Sequence, residues 1–319
     1  MSRVIVVGYS GQDGTILSQQ LKLLGVDVLG ITKDKTYSSL REFDQCVVNI
    51  LNKRDIFNIV KKFQAEQIYY LAAFQSSSGQ IINDEESNIL KNSIEVNLLS
   101  LQYILEAVYL YSRNTAIFYA ASSHIYGDTK SKIQNEETPF SPIDYYGISK
   151  VSGIQLCRYY RKKKSLCIAV GIMYNHESIH RKENFVSIHI IRGALDIFYG
   201  NKNELLLGDL DAKVDWGSAY DYVEAMLTLL NKRISGDFII ATGAQHSVKE
   251  FVQVVFDHLE LDFTKYVKES GDFIKKGRNN LCGDSTKIQK ISGWKPRTTF
   301  KKMIIDMVEH FKENIHDKR

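Results

Sequence analysis

The sequence predicts an α/β protein with a doubly wound parallel sheet and a smaller α/β lobe at its C-terminal end. Short runs of β-branched residues alternate with helical patterns through the first half of the chain. This βαβα order is typical of a parallel sheet that is covered by helices on both faces. The alternation weakens after about residue 171, where loops rich in His, Asn and Lys predict a less regular lobe.

The individual elements follow from the spacing of apolar residues. Short apolar runs predict strands over residues 3–7, 26–31, 67–71, 116–120, 166–170 and 237–241. Helical spacing predicts helices over residues 13–24, 53–63, 94–110, 145–161, 221–230, 248–259 and 300–311, with Thr299 as a cap of the last. A length of 319 residues fits two domains. We expect the sheet domain over residues 1–171, with return segments near 211–245, and the smaller substrate lobe over residues 172–319.

The composition indicates an ordinary globular protein. Hydrophobic residues make up 44% of the chain and charged residues 24%, so a core can form without disulfides. The 41 basic and 37 acidic side chains leave a net charge of +4, too small to indicate nucleic acid or a membrane surface as a partner. The four cysteines lie far apart, and no apolar stretch reaches 18 residues. We therefore expect a cytoplasmic protein without a targeting or membrane segment.

A glycine-rich turn follows the first predicted strand. Gly8, Gly11 and Gly14 have the spacing G-x-x-G-x-x-G and lead into the first predicted helix, with Gln12 and Asp13 between the last two glycines. Glycines allow the backbone to approach a pyrophosphate, whose charge is received by the N–H groups at the positive end of the helix. This order of strand, turn and helix predicts a Rossmann dinucleotide site. A tight turn with a purely structural role is the alternative.

The choice between NAD and NADP depends on the end of the second strand. An acidic side chain there binds the ribose hydroxyls of NAD, whereas a basic side chain receives the phosphate of NADP. The sequence has Lys33 followed directly by Asp34. We expect NADP or NAD as cofactor, with a slight preference for NADP through Lys33; a solvated turn is the alternative for both residues.

Tyr146 and Lys150 are four residues apart and so lie on one face of a predicted helix. A neighbouring cation favours a phenolate, which would bring the pKa of Tyr146 towards neutrality and make it a base for a hydroxyl proton. Upstream, Ser122, Ser123 and His124 follow a predicted strand. We expect these three side chains at the carboxyl edge of the sheet, where ligands of such folds bind.

Together these features resemble the GDP-mannose 4,6-dehydratase family of the extended short-chain dehydrogenases/reductases. The resemblance extends over nearly the whole chain and includes the stretches GYSGQDG at 8–14, IYYLAA at 68–73, NHES at 175–178, ENFV at 183–186 and LDAK at 210–213. It implies a homodimer or homotetramer. It also implies further cofactor contacts at Asn49, Ile50, Leu71, Ala72 and Ala73, and a GDP-sugar bound through Asn175, Glu177, Asn184, Phe185, Val186 and Lys213.

The resemblance also implies a reaction. In the family, the tyrosine and the cofactor oxidise the sugar at C4, a base removes the C5 proton, the C6 hydroxyl leaves as water, and hydride returns to C6. The Thr-Ser-Glu run of the family matches Ser122, Ser123 and His124 of this chain. His124 therefore stands at the glutamate position, and a histidine can accept and donate a proton near neutral pH.

Three functions are left open. The first is a nucleotide-sugar 4,6-dehydratase in which His124 performs the role of the glutamate. The second is a GDP-sugar C4 dehydrogenase, reductase or epimerase that loses no water, which is favoured by His124 and by Val214, where the family has an arginine. The third is a non-catalytic cofactor-binding homologue, which the intact pair Tyr146 and Lys150 disfavours.

Residues 176–180 read His-Glu-Ser-Ile-His and match the H-E-x-x-H zinc pattern. That pattern binds zinc only on a helix, where both histidines share one face. Here it leaves a predicted strand and enters a charged loop, so we expect no metal site.

Overall fold

The computed structural model describes residues 2–32, 44–75, 86–270 and 280–316. Its strands are β1 Arg3–Val7, β2 Asp27–Thr32, β3 Asp44–Val47, β4 Gln67–Tyr70, β5 Ala116–Ser122, β6 Ile168–Met173, β7 Asn175–Glu177, β8 Leu205–Leu207, β9 Lys213–Ser218, β10 Gly236–Ile240, β11 Gln245–Ser247 and β12 Val267–Glu269. Its helices are α1 Gln12–Leu23, α2 Lys53–Phe63, α3 Glu86–Ile94, α4 Ser100–Tyr111, α5 Tyr145–Lys164, α6 Val186–Phe198, α7 Ala219–Asn231, α8 Val248–His258, α9 Phe263–Tyr266, α10 Thr286–Ser292 and α11 Phe300–His316.

Within these ranges, seven parallel strands form the main sheet in the order β10-β6-β5-β4-β1-β2-β3. The chain passes from β1 to β2 on one side and later returns to β4 on the other side. Such a reversal opens a crevice at the carboxyl ends of the strands. The predicted doubly wound α/β fold is confirmed.

The apolar residues explain why both faces of the sheet are covered. One buried cluster packs α2, α4 and α5 against one face, and a second packs α1 and α7 against the other. The central strands are buried on both faces, as the continuous apolar run of β6 shows. Near-continuous hydrophobic strands are the expected consequence of helices on both sides.

The C-terminal lobe has its own core. A third buried cluster joins α6, α8 and α11 around Trp216 of β9. Small sheets complete the lobe: β9 lies between β7 and β11, and β8 pairs with β12. Strand β10, by contrast, joins the main sheet beside β6, and α7 packs against α1.

Several sequence-based boundaries needed correction. The helix predicted over residues 94–110 starts at Glu86 and passes through a π-helical turn, Glu95–Leu99, before α4. No helix was predicted between residues 171 and 221, but the structure contains α6 there, in which Ile188, Ile190 and Ile191 are fully buried. Isoleucine has a low intrinsic helix propensity, and the burial of these side chains in the lobe overrides that preference. The smaller strands β7, β8, β9, β11 and β12 were also not predicted.

Candidate active site

The glycine turn lies where β1, α1 and the segment after β4 meet. Gly8 has φ +86°, and a Cβ there would lie 2.7 Å from the backbone nitrogen of Ala72. A Cβ on Gly14 would lie 2.4 Å from the carbonyl oxygen of Gly8. Gly11 is the N-cap of α1 and provides no side-chain cap. The first-turn N–H groups of α1 therefore face the crevice without a competing side chain, as a bound phosphate requires.

The side chains of Gln12 and Asp13 point towards the C-terminal lobe. Nε2 of Gln12 donates to the carbonyl oxygen of His176 at 3.0 Å, and its Oε1 accepts from Ser178 at 2.9 Å. Both carboxylate oxygens of Asp13 lie 3.0 Å from Nε2 of His176. These two side chains connect α1 to the C-terminal lobe.

The other predicted cofactor positions lie around the same edge of the sheet. Leu71, Ala72 and Ala73 follow β4 directly, and Leu71 N–H donates to the carbonyl oxygen of Val7 at 2.9 Å. Asn49 accepts from the backbone of Leu51 at 2.9 Å. Ile50 packs against the buried cluster that joins α2, α4 and α5 to the sheet. Lys33 and Asp34 lie outside the described residues.

Tyr146, Lys150 and Ser122 come together at the carboxyl end of β5. Nζ of Lys150 donates to the carbonyl oxygen of Ala120 at 2.7 Å and lies 5.5 Å from the centre of the Tyr146 ring. Lys150 is almost completely buried. The Tyr146 hydroxyl shares a hydrogen bond with Ser122. These three side chains therefore form one cluster in the structure.

The electrostatics of this cluster differ from the sequence-based expectation. Burial raises the pKa of Tyr146 to about 12, against the hydrogen bond with Ser122 and the positive charge of Arg181. Burial also lowers the pKa of Lys150 to about 7. The expectation that Lys150 brings the pKa of Tyr146 below its ordinary value is wrong here. The reason is that desolvation disfavours the phenolate and the ammonium alike.

His124 lies beside Tyr146 with its ring nearly perpendicular to the phenol, and their ring centres are 5.3 Å apart. Its Nδ1 is 2.9 Å from Oδ2 of Asp144, the residue that precedes α5. The backbone N–H of His124 donates to Oγ of Ser122 at 3.3 Å. Ser123 starts a short 3-10 turn and is buried. The cluster thus contains two hydroxyls and one imidazole that face one another.

The predicted substrate residues divide into buried and exposed groups. Glu177 is 2% exposed, and its carboxylate accepts from Ser187 at 2.6 Å and lies 3.2 Å from Nε of Arg181. The carboxylate of Glu177 is therefore held by Ser187 and Arg181 in this structure. The guanidinium of Arg181 also covers the ring of Phe185 at 3.5 Å. Glu177 therefore positions the guanidinium of Arg181, a residue that the sequence predicted only as part of a charged loop.

The exposed group lies on the surface of the C-terminal lobe. Asn175 opens β7, Asn184 and Phe185 precede α6, Val186 is its first residue, and Lys213 opens β9. Asn175, Asn184 and Lys213 are exposed, and Val186 is 41% exposed. Backbone N–H of Lys213 donates to Asn280 at 3.3 Å. These side chains are accessible to a large polar ligand.

The His176–His180 segment does not form a zinc-binding helix. His176 and Glu177 lie in β7, and a turn follows. His176 is stacked on Tyr222, with ring centres 4.6 Å apart. Within the described ranges no cluster of three or more His, Cys, Asp or Glu residues could hold a metal ion.

A family model described as GDP-mannose 4,6 dehydratase matches residues 5–307. The chain belongs to the GDP-mannose 4,6-dehydratase family. Human GDP-mannose 4,6 dehydratase is 31% identical, over 95% of this chain and 90% of its own length.

Solved structures similar to this family member share its fold. The UDP-glucose 4-epimerase of Thermus thermophilus, in complex with NAD, has a TM-score of 0.84 at 20% identity and covers 97% of this chain and 99% of its own. RMD from Pseudomonas aeruginosa, complexed with NADPH, has a TM-score of 0.82 at 19% identity and covers 98% of this chain and 100% of its own.

None of the helices in the described ranges is long and apolar enough to span a membrane.

Two residues of this GDP-mannose 4,6-dehydratase family member were missed by sequence reasoning. Asp144 contacts His124, and Arg181 contacts Glu177. An aspartate just before a helix indicates an N-cap, and Asp144 does cap α5 through the backbone of Gly147. Nothing in the local sequence indicates the contact with His124, because the two residues lie 20 positions apart in a turn and a loop.

Proposed function

We propose that this chain is a nucleotide-sugar 4,6-dehydratase that acts on a GDP-hexose or a related GDP-sugar with NAD or NADP as cofactor. The observation that carries the proposal is the cluster of Tyr146, Ser122 and His124, with the phenol bonded to Ser122 and 5.3 Å from the imidazole. A dehydratase needs one group for the C4 hydroxyl proton and a second for the C5 proton. The cluster offers both within one small volume.

The glycine turn fits a dinucleotide. Gly8 and Gly14 leave no room for a Cβ, and the start of α1 has no side-chain cap. Gly8, Gly11 and Gly14 would hold the pyrophosphate, with Leu71, Ala72, Ala73, Asn49 and Ile50 along the rest of the cofactor. When bound, the nicotinamide supplies reversible hydride transfer with the sugar.

The residues of the chain perform the proton transfers. Tyr146 takes the proton of the C4 hydroxyl, with Ser122 bonded to the same phenol oxygen. His124 removes the C5 proton and delivers it to the departing C6 hydroxyl, which leaves as water. Tyr146 returns its proton at C5, so that the sugar loses one water in total. General acid–base groups of this kind contribute about 10²- to 10⁴-fold to rate.

The GDP-sugar would bind in the lobe. Asn175, Asn184 and Lys213 offer polar and positive groups on its surface, and Phe185 and Val186 precede and begin α6. Glu177 forms an ion pair with Arg181, and the positive charge of Arg181 acts to lower the pKa of Tyr146. A sugar diphosphate that carries negative charge fits this surface.

The test is mass spectrometry of GDP-mannose, and of a GDP-heptose, after incubation with the protein and either NAD or NADP. A product lighter by one water supports the proposal. Tyr146→Phe should abolish that product, whereas Tyr145→Phe should retain it. Tyr145 is the matched control because its hydroxyl contacts Glu86 at the surface, 3.3 Å away.

Other outcomes lead to the remaining candidates. A product lighter by two hydrogens, or an unchanged mass with accumulated reduced cofactor, would replace dehydration by C4 oxidation and reduction. Absence of both, together with tight dinucleotide binding, would indicate a non-catalytic homologue. The comparison of NAD with NADP decides the cofactor preference that Lys33 predicts.

We also propose a homodimer or homotetramer. Exposed apolar side chains on α4 and α5 support it, among them Leu110 at 52%, Tyr159 at 50% and Ile148 at 41% exposure. Solvent-exposed apolar groups of this size favour association with another surface. Light scattering after size exclusion measures the mass in solution, and a monomer would contradict the proposal.

A further inference from the structure

One carboxylate joins the loop of His124 to the helix of Tyr146. Oδ2 of Asp144 is 2.9 Å from Nδ1 of His124, and its Oδ1 accepts from the backbone N–H of Gly147 at 2.6 Å. The second contact makes Asp144 the N-cap of α5. Asp144 therefore fixes the imidazole relative to the first turn of the helix that carries Tyr146 and Lys150.

The backbone keeps this arrangement in register. A Cβ on Gly147 would lie 2.6 Å from the carbonyl oxygen of His124. The first turn of α5 therefore lies directly against the His124 backbone, and a residue without a Cβ at position 147 allows this close approach.

The chemistry of the two groups determines the tautomer of His124. An ionised carboxylate can only accept hydrogen bonds, so Nδ1 of His124 carries the proton. Nε2 then keeps its lone pair. No residue in the described ranges makes a hydrogen bond to Nε2, which leaves it available to accept a proton.

We propose that Asp144 is a positioning residue, which holds His124 in the Nδ1–H tautomer so that Nε2 serves as the base for the C5 proton. This inference rests on the proposed function. When Nε2 takes the proton, the imidazolium is stabilised by the carboxylate, and Asp144 itself stays ionised. The proton then passes from Nε2 to the departing hydroxyl, and the pair returns to its initial state.

Asp144→Asn separates the contact of Asp144 with His124 from its contact with Gly147. Asparagine caps helices about as well as aspartate, so α5 keeps its start. The amide would turn its oxygen to Gly147 and its NH₂ to Nδ1, and a donor at Nδ1 forces the proton onto Nε2. We expect the elimination of water to slow about 100-fold or more, since a general base is lost, whereas C4 oxidation in a single turnover changes by less than threefold.

The imidazole nitrogens provide a readout that does not depend on catalysis. ¹⁵N NMR of histidine-labelled protein, with the His124 signals assigned from their loss in His124→Gln, should show Nδ1–H in the unsubstituted protein and Nε2–H in Asp144→Asn. Nε2–H in the unsubstituted protein, or no change in the variant, would overturn the positioning role. This holds whichever sugar is the substrate.

Ser247→Ala is the matched control for a lost helix cap. Oγ of Ser247 accepts from the backbone of Glu250 at 3.1 Å and caps α8 in the C-terminal lobe. The Ser247→Ala substitution should lower the melting temperature without changing the tautomer of His124 or the ratio of elimination to C4 oxidation. Equal losses of elimination in Ser247→Ala and Asp144→Asn would overturn the inference. A protein that dehydrates no GDP-sugar would overturn only the proposed function, because the ¹⁵N shifts would still decide the positioning role.

Discussion

Asp13 and His176 form a buried pair that joins the first helix of the sheet domain to the C-terminal lobe. Nε2 of His176 is 3.0 Å from both carboxylate oxygens of Asp13, and its Nδ1 is 2.7 Å from the carbonyl oxygen of Tyr174. Both ring nitrogens face acceptors, an arrangement that favours the doubly protonated imidazolium form of His176. Burial alone would lower the pKa of His176, but the Asp13 carboxylate outweighs burial and raises it.

Replacement of His176 should destabilise the protein in a pH-dependent way. His176→Gln removes the cation that is hydrogen-bonded to Asp13, and loss of one partner of a largely buried pair costs about 3 kcal/mol. Because the folded pKa of His176 is raised above 6.5, its stabilisation is complete below pH 6.5 and declines as the pH rises through the raised value. Urea unfolding at pH 6 and pH 9 should show a smaller difference between the two proteins at pH 9.

The double variant Asp13→Asn with His176→Gln is the control for this pair. If the pair is coupled, the double variant is more stable than the sum of the single losses predicts. Additive losses, or a difference that does not change with pH, would contradict an ion pair between Asp13 and His176.

Burial of Lys150 predicts a second pH dependence. The pKa of Lys150 is lowered to about 7 in the folded protein, against 10.5 for a lysine exposed to water. Between these values the unfolded chain binds the proton more strongly, so stability should increase with pH across this window, by at most about 1.4 kcal/mol per pH unit. Lys150→Met lacks this slope. Unfolding curves at pH 7 and pH 9 measure the difference, and parallel behaviour of both proteins would contradict a destabilised ammonium.

The sequence predicted those parts of the fold that depend on local pattern. Helix α2 has the predicted bounds, Lys53–Phe63, because its apolar residues follow a helical period and Asn52 caps it. Strands β1 and β5 start where they were predicted, since each begins a buried apolar run. The small strands of the lobe consist of three to six residues. Their pairing depends on distant partners, which a local pattern does not contain.

In the candidate site too, local sequence motifs were predictable and contacts between distant residues were not. Gly8, Tyr146 and Lys150 could be proposed as site residues from the sequence, because each belongs to a motif whose spacing indicates a specific chemistry. The partners of Gln12 and Asp13 could not be predicted, because these side chains reach residues 163 to 166 positions away. The electrostatic effect of burial on Tyr146 and Lys150 was also missed, since desolvation depends on the packed structure and not on the spacing of the two residues.

Arg181 should depend on Glu177 for its position. Glu177→Gln keeps the shape and the bond from Ser187 but removes the charge beside a guanidinium that is 17% exposed. Loss of a charged partner at such a place costs about 2 kcal/mol. The exposed pair of Glu183 and Arg192, with side chains 74% and 51% exposed, is the matched control, and Glu183→Gln should cost at most about 0.5 kcal/mol. Thermal unfolding compares the two, and equal effects would contradict a structural role for Glu177.

Gly8 and Gly25 separate backbone strain from dinucleotide binding. Both have positive φ, +86° and +70°, but a Cβ on Gly8 would meet Ala72 whereas a Cβ on Gly25 has nothing within 4 Å. Gly25→Ala should therefore cost only the left-handed conformation, about 1 kcal/mol. Gly8→Ala should cost more, and it should also displace the segment at Ala72 from the crevice. We expect the affinity for NADH or NADPH, measured by calorimetry, to fall at least tenfold in Gly8→Ala and to stay unchanged in Gly25→Ala. Equal affinities in both variants would show that the glycine turn does not hold the dinucleotide.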